Sequence, residues 1–182
     1  RRLLLFIFVM GLVPEVNSVL FFVLKRDIEP VAMSLVDICG ALSSSLVAAV
    51  FNYLHCSDYR SWTLSIWLGV FANVLALMIL TGAPPLEYAC VRAGVLGVAS
   101  MFYVLPVVIR VAHACPDGAE GTTYALVMAW MNMSNVLGEF IQSGFVSLLG
   151  ITELNYRHIL PFLLVAIVWS GVPLCFRRTT SI

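Results

Sequence analysis

Charge is what this sequence has least of. Asp, Glu, Lys and Arg make up 11% of its 182 residues, where a soluble domain carries about 25%. Lys plus Arg and Asp plus Glu each total 10, so the formal net charge is zero. No basic excess is available to neutralise a phosphate backbone, and nucleic acid is excluded as a partner. Metal-ligand patterns are missing as well. Cys39, Cys56, Cys90, Cys115 and Cys175 form no C-x-x-C pair, and His55, His113 and His158 stand far apart. The chain also lacks G-x-S-x-G, a phosphate-binding glycine loop and H-E-x-x-H, so neither an enzyme nor a cofactor or metal is expected. What remains is 61% hydrophobic residues and a mean hydropathy of +0.99. A water-soluble protein of this composition would expose large apolar patches, whereas a bilayer accepts them provided that the backbone is satisfied within helices. The expectation is an all-α, polytopic membrane protein whose first partner is the lipid bilayer.

Six apolar windows approach the roughly 20 residues that cross a hydrocarbon core of about 30 Å. They cover 3–24, 31–54, 62–80, 91–109, 122–149 and 159–176, and together form a single transmembrane domain over 1–182. The separators carry the turn and charge signals, among them Lys25-Arg26-Asp27, Glu29-Pro30, 81–87 and 110–121. Arg1-Arg2 before Leu3 resembles the start of a signal peptide. The apolar run resumes after Pro14-Glu15 and reaches Leu24, however, which makes a membrane span the expected reading. An even helix count puts both ends on one side. Arg1, Arg2, Arg60, Arg110, Arg177 and Arg178 then face the cytoplasm, against Lys25, Arg26, Arg92 and Arg157 outside.

The placement of polar residues adds more. In the fifth window Asn132, Asn135, Glu139 and Gln142 recur at spacings of three, four and three, which stacks them on one helical face. In the second, Ser34, Asp37, Ala41, Ser44 and Ala48 make a narrow stripe around one acid, and the first repeats the idea with Gly11, Glu15 and Ser18. The third offers mainly Ser65, Gly69 and Asn73, and the sixth almost nothing polar. Windows one, two, four and five are therefore expected around a cavity, with three and six outside. Ionisable groups within a membrane cost about 2.5–3.5 kcal/mol on insertion scales, which makes Glu139, Asp37 and Glu15 candidates for substrate or proton binding. Asn132, Asn135 and Gln142 join them as adaptable amides. Pro14 removes a backbone donor beside Glu15, and a kink in the first helix is expected there.

The run Cys115-Pro116-Asp117-Gly118-Ala119-Glu120-Gly121-Thr122-Thr123-Tyr124-Ala125-Leu126, continuing to Met128 and Asn132, resembles the signature of the folate-biopterin transporter family within the major facilitator superfamily. That family carries a C-P-x-G-x-E-x-T-x-x-A-L-like run leading into a helix with an Asn. The Pro14 helix, the Gly40 helix, the loop ending at Arg60 and Trp62, and Gly150-Ile151-Thr152 look similar too, so the resemblance covers most of the chain. It implies one half of a major-facilitator fold, the C-terminal one, with a missing N-terminal six-helix half as its partner. It further implies carriage of pteridines such as folate or biopterin, coupled to protons, most readily across the plasma membrane. Arg92 or Arg110 would answer folate's anionic tail, although both sit near expected helix ends, where arginines commonly anchor. Within the signature, Cys115, Pro116, Gly118, Glu120 and Thr122 read physically as a loop that stops one helix and starts the next, with Thr122 or Thr123 bonding first-turn backbone groups. The alternatives are a carrier of another small organic solute, or an inactive membrane scaffold fragment.

Overall fold

A computed structural model describes residues 2–13, 16–54, 56–116, 118–151 and 158–176. Among the described residues eight α-helices follow one another: α1 (Arg2–Gly11), α2 (Asn17–Asp27), α3 (Pro30–Val50), α4 (Asp58–Leu80), α5 (Pro85–Ala114), α6 (Glu120–Leu148), α7 (Ile159–Ser170) and the short α8 (Pro173–Phe176). A 3-10 turn over Phe51–Tyr53 prolongs α3, and no strand occurs among the described residues. The described fold is all-helical, which satisfies each backbone within its own segment where lipid offers no hydrogen bonds.

Proline and glycine set the boundaries. Pro30 and Pro85 open α3 and α5 at first-turn positions, where the missing N–H has no intrahelical partner to lose. Gly82 (φ +102°) follows the end of α4, and Gly150 (φ +62°) follows α6. The fourth window, expected over 91–109, is thus a 30-residue helix beginning at Pro85. The third begins at Asp58 and not at 62. The first window departs most from expectation. In place of a kink, the helix ends at Gly11 and a new one begins at Asn17. Pro14 explains the interruption, since its ring disfavours helical backbone in the preceding residue and its nitrogen donates nothing.

Three described helices are long and apolar enough to cross a membrane: 30–53, α4 and α5. The 29 residues of α6 run about 43 Å, but Asn132, Asn135, Glu139 and Gln142 lower its hydropathy. The segments α1 and α2, of 10 and 11 residues, are each too short alone, and the apolar stretch Ile159–Cys175 is shorter than a full span.

The bundle is organised around α5, which packs along α3 on one side and α4 on another and also meets α6 and α2; α1 lies on α6, and α7 on α4. Two glycine contacts set the closest approaches. A methyl group at Gly97 would overlap the carbonyl oxygen of Gly40, and one at Gly138 would overlap that of Gly11. Such backbone-on-backbone contact is how helices gain dispersion energy in a solvent as apolar as their side chains. One apolar cluster joins Leu20, Leu163 and Phe162 to the end of α4, while another, around Phe6, Trp62, Val107 and Met131, ties α1, α4, α5 and α6 together. The Phe6 and Trp62 rings lie 4.8 Å apart, and the guanidinium of Arg110 sits 5.0 Å over Trp62 while it pairs with Asp58. That pair joins the end of α5 to the start of α4, so both lie at one end of the bundle. Outward, Leu35, Ile38, Leu42 and Leu46 run exposed along α3, as a lipid-facing stripe should.

Replacing Gly97 by Ala is expected to cost about 1–3 kcal/mol through forced separation of α3 and α5. Gly144, with nothing within 4 Å of its would-be methyl, should gain up to about 1 kcal/mol from the same change. Melting of the two variants in detergent checks this; equal melting temperatures would mean that the α3–α5 contact is looser than described.

Candidate functional site

The break between α1 and α2 opens onto a cavity of about 340 Å³. Its walls come from Met10, Gly11 and Val13 at the end of α1, Val16 and Asn17 at the start of α2, and one face each of α4, α5 and α6, with Ser170 of α7 at the back. On α4 the lining residues Ser65, Gly69 and Asn73 fall at spacings of four, one above another. On α5 they are Arg92, Leu96, Ala99, Ser100 and Tyr103, and on α6 Asn135 and Glu139.

Arg92 is the unusual member. It lies in the third turn of α5 and is only 7% exposed. A guanidinium placed there must be hydrogen-bonded, because an isolated charge at membrane depth is costly. One Nη donates to Oδ1 of Asn17 at 2.8 Å. Asn17 is the first residue of α2, so the break between α1 and α2 is also what brings the amide to the arginine. Elsewhere the wall is tied by short polar contacts. Ser65 Oγ donates to the carbonyl of Ala99 at 2.8 Å, joining α4 to α5. Asn73 Nδ2 donates to Ser170 Oγ at 2.9 Å, and that hydroxyl donates onward to the carbonyl of Ala166 at 2.7 Å. Among the described residues the cavity therefore offers one cationic donor, one carboxylate and several amides and hydroxyls inside an otherwise apolar bundle. Small-molecule sites commonly have this character.

The stripe expected on α6 is divided. Glu139 and Asn135 line the cavity, Asn132 is exposed outside it, and Gln142 is 4% exposed and turned into the bundle. The buried side of α6 runs through Val127, Met131, Ser134, Gly138 and Gln142. Along most of its length this line sits one residue, or about 100°, away from the polar stripe, so Asn135 and Glu139 flank the contact with α1. Ser134 and Asn135 close around Gly11, where a methyl would come within 2.6 Å of Ser134 Cβ and 2.9 Å of Asn135 Oδ1. Asp37 is exposed on α3, and α3 contributes nothing to the cavity wall. The expectation that the second window lines the cavity while the third stands outside is thus reversed: α3 packs behind α5, and α4 carries the polar face. Glu15 lies outside the described residues.

In the signature loop, Cys115 follows the last residue of α5 and Pro116 is exposed. Gly118 takes φ +82°, a left-handed turn that suits glycine, and Glu120 begins α6. Asp117 lies outside the described residues. Thr122 stands in the first turn of α6 and is exposed, but the helix start carries no side-chain cap. Backbone bonds hold the turn, with Ala119 N–H donating to the Pro116 carbonyl at 3.0 Å and Thr123 N–H to that of Ala119 at 3.0 Å. The loop does not line the cavity.

Fold and site together define a multi-pass helical membrane protein built around a polar, charge-bearing cavity. The chain belongs to the BT1 family, whose profile matches residues 1–179. It is similar to the probable folate-biopterin transporter 4 of Arabidopsis thaliana, at 25% identity over 90% of this chain and 35% of that protein. It is also similar to the folate-biopterin transporter of Synechocystis sp., at 23% identity over 94% and 37%. A shorter match, at 31% identity over 42% of this chain and 14% of the relative, is to the probable folate-biopterin transporter 8, chloroplastic, of Arabidopsis thaliana. The chain thus spans little more than a third of the relatives that it matches along its length. No solved structure matches it.

The Asn73–Ser170 contact predicts a measurable coupling between α4 and α7. In a double-mutant cycle of Asn73→Ala and Ser170→Ala, unfolding in detergent should give an interaction energy of about 0.6 kcal/mol, and no more than about 1.7. Strict additivity would remove the hydrogen bond from the account of the cavity wall.

Proposed function

We propose that this chain is the C-terminal half of a secondary transporter that moves pteridines such as folate or biopterin, coupled to protons, across the plasma membrane, with an N-terminal six-helix half completing the pathway. The reading is of a carrier and not of an enzyme. Membership of the BT1 family supports it, as does the similarity to folate-biopterin transporters. The observation that carries it is the presence of Glu139 and Arg92 in one cavity. A pterin edge presents an amino group and a ring N–H, which a carboxylate such as Glu139 accepts as a pair, while Asn17, Asn73 and Asn135 are amides able to meet the remaining ring atoms. Arg92 supplies what folate needs and biopterin does not, a cation for the glutamyl carboxylates. Glu139, a membrane carboxyl at the edge of the cavity, is the group proposed to exchange the coupled proton.

The test is uptake of labelled folate and labelled biopterin at two external pH values by cells making the full-length protein, with surface abundance measured in parallel. Uptake should rise as external pH falls. Glu139→Gln is expected to abolish that rise and to weaken pterin uptake roughly ten- to hundredfold, the worth of one charge-assisted hydrogen bond. Arg92→Gln should lower folate uptake more than biopterin uptake, and Arg92→Lys should restore part of it. Absence of uptake of either compound, in protein present at the surface, would sink the pteridine reading. Imaging of a tagged protein tests the location; a chloroplast envelope signal, in keeping with the name of one relative, would replace the plasma membrane.

A further inference from the structure

Among the described residues, the four hydroxyl groups that line the cavity are all committed as donors to the main chain. Ser65 Oγ donates to the carbonyl of Ala99 at 2.8 Å, Ser100 Oγ to that of Gly97 at 2.9 Å, Tyr103 Oη to that of Ile7 at 3.4 Å and Ser170 Oγ to that of Ala166 at 2.7 Å. A carbonyl oxygen only accepts, so each hydroxyl proton is held on the backbone. What these groups keep for a further partner is lone pairs. The same commitment orients Asn73. Its amide lies 2.9 Å from Ser170 Oγ, and that oxygen has no second proton to give. The amide nitrogen must therefore face Ser170 as the donor, which turns Oδ1 the other way; a flipped amide would set two acceptors against each other. Among the described residues no other hydrogen bond engages this amide.

Asn73 is thus an acceptor of fixed polarity in the cavity wall, 7% exposed and held from behind by α7. Gly69, one turn away on the same face of α4, has open space where a side chain would stand, so a flat solute can lie against α4 with an edge at Asn73. We propose that Asn73 is a specificity-determining residue, held by Ser170 as its positioning residue, that admits a solute presenting an N–H there and refuses one presenting a carbonyl oxygen. The inference rests on the pteridine reading and deepens it. A pterin amino group has two hydrogens. One, together with the ring N–H, makes the pair that Glu139 accepts, and the other is the donor for Asn73 Oδ1. Exchange of that amino group for oxygen sets acceptor against acceptor. Neither side can turn to relieve it, because Ser170 fixes the amide and the Ala166 carbonyl fixes Ser170. A site built around a particular hydrogen bond rejects the analogue that cannot make it far more strongly than shape alone would.

The probes are pterin and lumazine, which carry an amino group and a carbonyl oxygen on the same ring carbon. Each is offered as an unlabelled competitor of labelled biopterin uptake by cells making the full-length protein. The ratio of the two inhibition constants is read, since it does not depend on how much protein reaches the surface. In the unaltered protein lumazine should inhibit about tenfold less well than pterin, or worse. Ser170→Ala releases the amide, which can then turn its nitrogen to the cavity. Lumazine should inhibit this variant about tenfold better than it inhibits the unaltered protein, a gain that damage to the α4–α7 contact would not produce. Ser170→Thr keeps the hydroxyl and should restore the preference for pterin. Asn73→Leu should weaken pterin about tenfold and leave lumazine nearly unchanged. Equal inhibition of the unaltered protein by both compounds, or a ratio that Ser170→Ala leaves as it was, would overturn the role of Asn73 and leave the pteridine reading in place. Absence of biopterin uptake by protein present at the surface would sink that reading, and this inference with it.

Discussion

Backbone meets backbone where Gly97 of α5 reaches the carbonyl of Gly40 on α3, and the position of α5 follows from that contact. With no hydrophobic effect to draw helices together in lipid, close approach is what makes α3 and α5 one rigid pair. A helix held on one side in this way presents a defined face on the other. That face carries Arg92, Leu96, Ala99, Ser100 and Tyr103 into the cavity. The Gly11–Gly138 contact does the same for α1 and α6, so two glycine crossings hold the cavity walls and the polar residues fill the space between them.

The burial of Arg92 shows how the walls depend on each other. A guanidinium in this position is tolerable because an amide is delivered to it, and the amide is delivered because the helix before it is broken. An uninterrupted first helix would carry Asn17 as an interior residue and close the opening that now admits Met10, Gly11 and Val13 to the wall.

Much of this was legible in the residues. Composition dictated the class, three of the six apolar runs coincide with helices long enough to cross a membrane, and the stripe on α6 holds two residues, Asn135 and Glu139, that line the cavity. Two misplacements have physical causes. The fourth helix starts before its apolar run because proline is favoured in a helix's first turn, so that Pro84-Pro85 opens the helix instead of separating two of them. Begun at Pro85, the helix makes Arg92 an interior residue and not an outer anchor. The few polar residues of α4 suggest a helix outside the cavity; it is the spacing of four through Ser65, Gly69 and Asn73, and not their number, that marks the face lining it. The role of α3 was not legible at all, since its small and polar stripe serves equally for close packing and for a cavity, and sequence alone does not say which neighbour a stripe meets.

The discontinuity between α1 and α2 also gives the cavity a field that no side chain supplies. A helix ends with a partial negative charge at its carbonyl end and begins with a partial positive charge at its amide end, each about half an elementary charge. Gly11 closes α1 and Asn17 opens α2, and both border the same space. The wall between them is therefore an electric doublet fixed in the main chain. A solute that enters there meets a surface that is already polarised by the main chain.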